Sequence, residues 1–124
     1  EKGAADIIQP AIERAGGITA GKKLGVLAEV HNKPLIPHSA GMVICSAAAL
    51  QCVSSMPNCP MVEYSIDVDE EGRVMGGTEI HRSYLKNGAG EWMIDKDGCI
   101  EVPKKPGLGI EVDVDKILRN LREE

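Results

Sequence analysis

Short apolar runs that end at a proline recur in the first half of the chain. The run IIQP occupies residues 7–10, and LIP occupies residues 35–37. Each run is too short for a helix, and a helical pattern follows it after a brief link. Proline has no amide hydrogen to donate to a sheet ladder, so Pro10 and Pro37 mark the ends of predicted strands. Consecutive strand–helix units of this kind predict an α/β fold with a parallel sheet.

Three strands and two helices are predicted in this half. The strands cover residues 5–10, 34–37 and 61–66, and the segment ERAGGIT is expected to be a loop. An amphipathic helix is predicted over residues 19–31, with Thr19 as its N-cap. Its inner face would consist of four apolar residues at helical spacing: Ala20, Leu24, Leu27 and Ala28. Residues 41–55 are almost wholly apolar or small, which predicts a helix that is packed on most sides.

The strand–helix rhythm stops after residue 66. The segment DVDEEG is a polar loop, and WMIDKDGCIEV predicts a hairpin in which KDG supplies the turn. The segment PKKPGLG is a connector with little structure of its own. Asp113 is the predicted cap of a last short helix, in which four apolar residues form a stripe: Val114, Ile117, Leu118 and Leu121.

Composition narrows the functional classes. The 124 residues are enough for one domain with a real core, and the formal charge of −5 disfavours a nucleic-acid or anionic-membrane surface. No apolar run approaches the length of a membrane span, and no leader opens the sequence. The four cysteines form no CxxC pair, so a zinc site is disfavoured. Reduced thiols in a cytoplasmic protein are the expectation.

Several motifs that resemble functional sites can be explained by structural roles alone. DVDEEG resembles the start of an EF-hand loop, but its twelfth position is Thr78 rather than glutamate, which favours a solvated loop. The two glycines of RAGGIT precede a helix, where they either contact an anion or meet a backbone requirement of the loop. His31 is most simply a surface residue near a helix end, and His81 has no suggestive neighbours.

His38 and Glu63 stand out because each lies at a predicted strand end, on adjacent units of one sheet. Ligands of parallel α/β folds bind at the carboxyl ends of the strands. A buried glutamate is costly unless it is paired or lies in a wet site. His38 can be a core residue, a metal ligand or a base, and a His–Glu pair is able to transfer protons near neutral pH.

Four motifs, in the same order, resemble the last part of mandelate racemase-like members of the enolase superfamily. They are ADIIQPAIERAGGIT, KPLIPHSAG, PNCPMVEY and DGCIEVPKKPGLGIEVD. Their sequences resemble those of the acid-sugar dehydratases most. The resemblance implies the C-terminal portion of a modified TIM barrel, with residues 5–10, 34–38 and 61–66 as its sixth, seventh and eighth strands. Residues 1–90 would form the last three βα units. Residues 91–124 would form a hairpin and helix that pack on a capping domain absent from this chain.

The resemblance also implies a reaction and its residues. Such enzymes remove the proton α to a carboxylate, and a Mg²⁺ ion stabilises the enediolate. His38 matches the general base of the seventh strand, and Glu63 matches the glutamate that hydrogen-bonds the substrate. Ser39 falls at a substrate-binding position. The implied partners are a small sugar acid and further copies of the protein in a homo-oligomer.

This chain departs from the family pattern in two ways, and both departures leave alternatives to the dehydratase function open. Where the family has QPD this chain has QPA, so Ala11 cannot orient the histidine, and Glu13 is the possible substitute. The family's metal ligands lie on earlier strands, so this chain is expected to be a C-terminal fragment that holds no Mg²⁺ and is inactive alone. A racemase or epimerase, a catalytically silent member, and a self-associating fragment without chemistry remain as alternatives to the dehydratase.

Overall fold

The computed structural model describes residues 3–38, 43–64, 68, 70–71, 84–86 and 94–120. The chain divides into two compact units, Glu1–Tyr64 and Ser65–Glu124. The assignment of residues 1–90 to barrel units and 91–124 to a tail remains a prediction. None of the helices described here has both the length and the apolar character needed to cross a membrane.

Parallel pairing joins the two proline-terminated runs of the first unit. Ile8 pairs with Leu35 and Ala11 pairs with His38, both in parallel. Backbone hydrogen bonds run from Ile8 N to Pro34 O (3.0 Å), from Ile36 N to Ile8 O (2.9 Å) and from His38 N to Pro10 O (3.0 Å). Pro10 has no amide hydrogen with which to continue this ladder. The bridges are therefore isolated. They show that these two segments pair in parallel, as the strand–helix units predicted, whereas the strands themselves are not assigned.

Two helices follow the first bridged segment. Helix α1 spans Ile12–Ala15 and helix α2 spans Gly17–Val30. Helix α1 and the start of α2 lie where a loop was predicted, and the rest of α2 confirms the predicted helix. Gly16 adopts φ 109° and caps both helices without a side-chain hydrogen bond. The loop prediction for ERAGGIT and the N-cap prediction for Thr19 are therefore wrong. A left-handed glycine turns the chain between the helices, and this conformation needs no polar cap.

Helix α3 spans Val43–Val53 and supplies most of the core of this unit. It confirms the apolar helix predicted there, although residues 41–42 lie outside the described part of the chain. The core cluster draws on all three helices, on the second bridged segment and on the residues after α3. Its buried members are Ile12, Ala28, Leu35, Ala49, Cys52, Val53 and Met56. Leu35 is fully buried, which fixes one face of the bridged pair against the helices.

Helix α2 buries a face that matches the predicted one only in part: Ala28 is buried and Leu24 packs against the core cluster, as predicted. Its buried residues are Gly21, Gly25 and Ala28, whereas Leu27 is 56% exposed. A Cβ atom at Gly21 would lie 2.8 Å from Ile12 Cδ1 and 2.9 Å from Cys52 Sγ. The helix therefore approaches its neighbours through small residues, because close backbone contact excludes larger side chains.

The turn after α2 and the segment after α3 are joined by Asn58. Its side-chain amide donates to Gly25 O (3.0 Å) and Lys33 O (3.2 Å), and its backbone carbonyl accepts from Leu35 N (3.1 Å). Residues 61–64 that follow carry no bridge, and residues 65–66 lie outside the described chain. The third predicted strand, residues 61–66, therefore remains a prediction.

The described residues of the second unit contain a bridge, turns and a helix. Leu85 pairs antiparallel with Val112, and helix α4 spans Val114–Asn120. Asp113 Oδ1 accepts from Lys116 N (2.9 Å), which confirms the predicted cap of α4. The Asp95–Cys99 turn is also present, since Asp95 N donates to Cys99 O (2.8 Å). The hairpin strands predicted around it are not assigned within residues 94–102, and Leu121 of the predicted stripe lies outside the described residues.

Candidate active site

The parallel register places three residues of the predicted site region on one face. Side chains alternate between the two faces of a strand, so Gln9 and Ala11 lie on the face opposite Ile8. His38 pairs with Ala11 and lies on that same face, whereas Leu35 pairs with Ile8 and packs in the core. The face that carries His38 is accordingly the one turned away from the core.

His38 and Glu63 meet on this face. His38 Nδ1 and Glu63 Oε2 are 2.9 Å apart, and the two side chains are 50% and 33% exposed. Val62, next to Glu63, packs against the core cluster and so fixes the segment that carries the carboxylate. The juxtaposition of His38 and Glu63 was expected from their positions at neighbouring strand ends. Their catalytic roles remain a prediction.

The contact assigns different tasks to the two ring nitrogens. A carboxylate only accepts hydrogen bonds, so a neutral imidazole bound to Glu63 carries its proton on Nδ1. Nε2 then holds the lone pair and is the atom that can accept a proton. Partial exposure of both side chains leaves the pair accessible to a small molecule.

The other sequence candidates have different surroundings. Ala11 pairs with His38, so a methyl group lies where the family has a carboxylate. Glu13 is exposed in α1. Burial raises the pKa of the Cys45 thiol, and the negative charge of Glu13 raises it further. The imidazole of His38 hydrogen-bonds Glu63, which disfavours the idea that Glu13 substitutes for the missing aspartate. Ser39, His81 and three of the six residues of DVDEEG lie outside the described residues.

Gln9 is the site residue that the sequence analysis did not single out. Its Nε2 donates to Glu63 Oε2 at 3.4 Å, the same oxygen that His38 contacts. The available clue was its place in IIQP, one residue before the proline, which gives it the same face as position 11. Its partner could not be read from the sequence, because Glu63 lies 54 residues further along the chain.

The side chains that commonly bind metal ions are not grouped into a metal site in the described part of the chain. Within the described residues no group of three or more His, Cys, Asp and Glu side chains is arranged to hold a metal ion. The pair His38 and Glu63 supplies only two candidate ligands, and they are bound to each other. The described residues of this chain therefore do not by themselves form a site for the Mg²⁺ that the family implies.

An imidazole–carboxylate pair beside the ends of parallel segments is typical of α/β enzymes. Residues 1–116 match the family described as Enolase C-terminal domain-like, and the chain belongs to that family. The enolase-superfamily assignment made from the four motifs is thereby confirmed. The chain is that of an enzyme family whose matched domain is part of a TIM barrel.

Characterised relatives and solved structures agree with this assignment. D-galactarolactone cycloisomerase of Agrobacterium fabrum is 30% identical over 93% of this chain and 29% of its own length. D-galactonate dehydratase of Variovorax paradoxus is 33% identical over 98% of this chain and 30% of its own length. The mandelate racemase/muconate lactonizing enzyme-like protein of Roseovarius sp. TM1035 superposes with a TM-score of 0.73 at 38% identity, covering 95% of this chain and 26% of that one. The chain thus spans less than a third of the length of these relatives.

Proposed function

We propose that this chain is the C-terminal part of a dehydratase of sugar acids, in which His38 removes the proton α to the substrate carboxylate. The observation that carries the proposal is the 2.9 Å contact between His38 Nδ1 and Glu63 Oε2, which leaves Nε2 as the basic atom. The relatedness to a D-galactonate dehydratase supports a small polyhydroxy acid as the substrate.

The chemistry follows from the pair. Nε2 of His38 takes the proton from Cα, and the electron pair of the broken C–H bond moves into the carboxylate as an enediolate. Loss of the β-hydroxyl requires one proton for the departing oxygen, and the imidazolium of His38 carries such a proton. The net change is loss of one water molecule. Glu63 serves as a hydrogen-bonding group next to this reaction.

The parent enzyme would draw on residues outside this chain for the Mg²⁺ that the family implies. The ion would stabilise the enediolate charge when it is bound. The described part of this chain contributes the base and its hydrogen-bonded neighbours, not an identified metal site.

A second candidate is an isomerase of the same superfamily, which the relatedness to a D-galactarolactone cycloisomerase favours. Proton abstraction at Cα is shared by dehydration and racemisation. The reactions differ afterwards, since dehydration expels the β-hydroxyl whereas racemisation returns a proton to the opposite face of Cα. Product analysis therefore separates them, by a keto acid in one case and an inverted or rearranged acid in the other.

The test uses the full-length parent protein incubated with D-galactonate and related sugar acids in D₂O. We expect His38→Asn to lower both α-proton exchange and turnover by about 100-fold or more, because a positioned base contributes that much. The matched control is His31→Asn, an exposed histidine at the C-cap of α2, which should leave both rates unchanged. Unaltered exchange in His38→Asn, or no exchange with any acid in the wild type, would refute the proposal.

A further inference from the structure

We propose that Gln9 and Glu63 are positioning residues, forming a hydrogen-bond chain Gln9–Glu63–His38 that fixes the tautomer of His38. The chain holds the imidazole proton on Nδ1 and presents Nε2 as the base. The inference rests on the proposed function only for the use of Nε2. The hydrogen-bond chain itself is a property of this structure and can be measured without turnover.

The direction of each hydrogen bond follows from the chemistry of the groups. Gln9 Nε2 is an amide nitrogen that only donates, and it lies 3.4 Å from Glu63 Oε2. The carboxylate oxygen accepts, so the hydrogen between it and His38 Nδ1, 2.9 Å away, belongs to the imidazole. Two donors therefore converge on one carboxylate oxygen, and neither can reverse its role while the carboxylate is ionised.

The backbone holds both ends of this hydrogen-bond chain. Gln9 lies between Ile8, whose N–H and C=O both form ladder bonds, and Pro10, whose carbonyl accepts from His38 N at 3.0 Å. Gln9 and His38 are thus carried on two directly bonded segments, and their side chains share a face. Groups mounted on a rigid scaffold hold their geometry better than groups on free loops.

The alanine at position 11 explains why Glu63 is the residue that hydrogen-bonds Nδ1 of His38. Ala11 pairs with His38 but offers only a methyl group, so it cannot bind Nδ1. Glu63 occupies Nδ1 instead and approaches from the segment that follows α3. On this account His38 retains an orienting carboxylate despite the alanine.

A competing account has Glu63 contact only the substrate and leaves Gln9 without a role. The two accounts differ in the enzyme without substrate. If Glu63 serves the substrate alone, the tautomer of His38 does not depend on residues 9 and 63. If the hydrogen-bond chain operates, removing either member alters that tautomer before any substrate is added.

The experiment measures the tautomer by nitrogen NMR in the full-length parent protein labelled with ¹⁵N-histidine. The His38 signals are assigned by their absence in His38→Asn, and spectra are recorded with the imidazole neutral. We expect wild-type His38 to carry its proton on Nδ1. Glu63→Ala should reduce the Nδ1-protonated fraction severalfold, and Gln9→Leu should reduce it less. Glu13→Ala, a nearby exposed glutamate, is the control and should leave it unchanged.

Kinetics supply a second readout, which a purely structural role would not produce. We expect Gln9→Leu to lower kcat by about 10-fold with little change in KM, since supporting residues commonly act on this scale. The signal of His31 should stay in place in both variants and so report an intact fold. Ala11→Asp should not raise kcat, because Nδ1 already has a carboxylate.

Each outcome decides one proposal. An Nδ1-protonated His38 that is insensitive to both Glu63→Ala and Gln9→Leu overturns the hydrogen-bond chain, and so does a tenfold gain in kcat from Ala11→Asp. An Nδ1-protonated His38 that responds to both variants, in a protein whose α-proton exchange survives His38→Asn, supports the hydrogen-bond chain and refutes the proposed function. The two failures are therefore distinguishable.

Discussion

Single thiols of this chain differ in their access to solvent. Cys52 is fully buried, Cys45 and Cys59 are half-buried, and Cys99 is exposed in the Asp95–Cys99 turn. Burial raises the pKa of the thiols of Cys45, Cys52 and Cys59 because the thiolate loses its hydration. The reactive form of these groups is therefore scarce at neutral pH.

Alkylation should follow this order. With iodoacetamide at neutral pH we expect Cys99 to be modified first and Cys52 last, as read by peptide mass spectrometry. Raising the pH should accelerate the reaction at Cys45 and Cys59, because thiols with a raised pKa form the reactive thiolate only at higher pH. Labelling in urea, where all four react, is the control. Early modification of Cys52 in the native protein would contradict the burial described here.

The residue scale also shows what the sequence could predict of the site. The positions of His38 and Glu63 at neighbouring strand ends were enough to predict that they lie together. The hydrogen-bond chain was not predictable, because Gln9 is polar in a short apolar run and nothing local marks its partner. Ala11 was identified as a departure, but the compensating contact of Glu63 depends on distances that only the fold determines.

At the scale of elements, the contact face of α2 is made of glycine. Gly21 meets Ile12 and Cys52, which are both fully buried, whereas Gly25 meets the flexible side chain of Met56. An added methyl group has no space at the first position. At the second, the thioether of Met56 is able to move aside. The two glycines thus have similar sequence contexts but different packing.

Alanine substitution should separate them. In Gly21→Ala, overpacking costs about 1–3 kcal/mol and outweighs the helix propensity gain of about 1 kcal/mol. In Gly25→Ala the propensity gain remains, so the free energy of unfolding should stay the same or rise. Urea denaturation of the two variants and the wild type measures the difference. Equal stability of the two variants would mean that Ile12 and Cys52 give way as easily as Met56.

The predictions of helices were correct where the local pattern of side chains is enough to determine the structure. The apolar run of α3 and the Asp113 cap of α4 were both predicted from local chemistry. The start of α2 was not, because Gly16 turns the chain by its backbone conformation. Leu27 was wrongly placed on the buried face of α2, since hydrophobicity favours Leu27 over Gly21 whereas close helix packing favours the smaller residue.

At the scale of the whole molecule, the described residues of the two compact units differ in how many buried hydrophobic side chains they contribute. The core cluster belongs wholly to the unit Glu1–Tyr64. Among the described residues of Ser65–Glu124, Leu85 is the buried hydrophobic side chain, and residues 94–110 contain turns without helix. Such segments open locally at low cost. The parallel pairing of the two segments was predictable from the prolines, whereas the barrel role of each segment remains a prediction.

Limited proteolysis should reflect this difference. We expect trypsin to cleave after Lys104, in the exposed connector, before it cleaves after Lys22 or Lys23 inside α2. The ion pair of Lys104 with Glu101 (2.8 Å) is fully accessible to solvent and should give little protection. Lys104→Gln is the control that removes the early fragment. Cleavage within α2 at an equal or faster rate would show that the first unit is the looser one.

Asn58 constrains how the sequence can drift. Its side chain gives two amide hydrogens to carbonyls of two different segments, Gly25 and Lys33. Aspartate has the same length but no hydrogens to give, and glutamine has the hydrogens on a longer stem. Neither aspartate nor glutamine preserves both hydrogen bonds. Substitution of Asn58 should therefore lower the free energy of unfolding, even though the residue takes no part in the proposed reaction. An invariant asparagine here across related sequences would then record the architecture of the fold, and mistaking it for a mark of catalysis would misdirect a search for the active site.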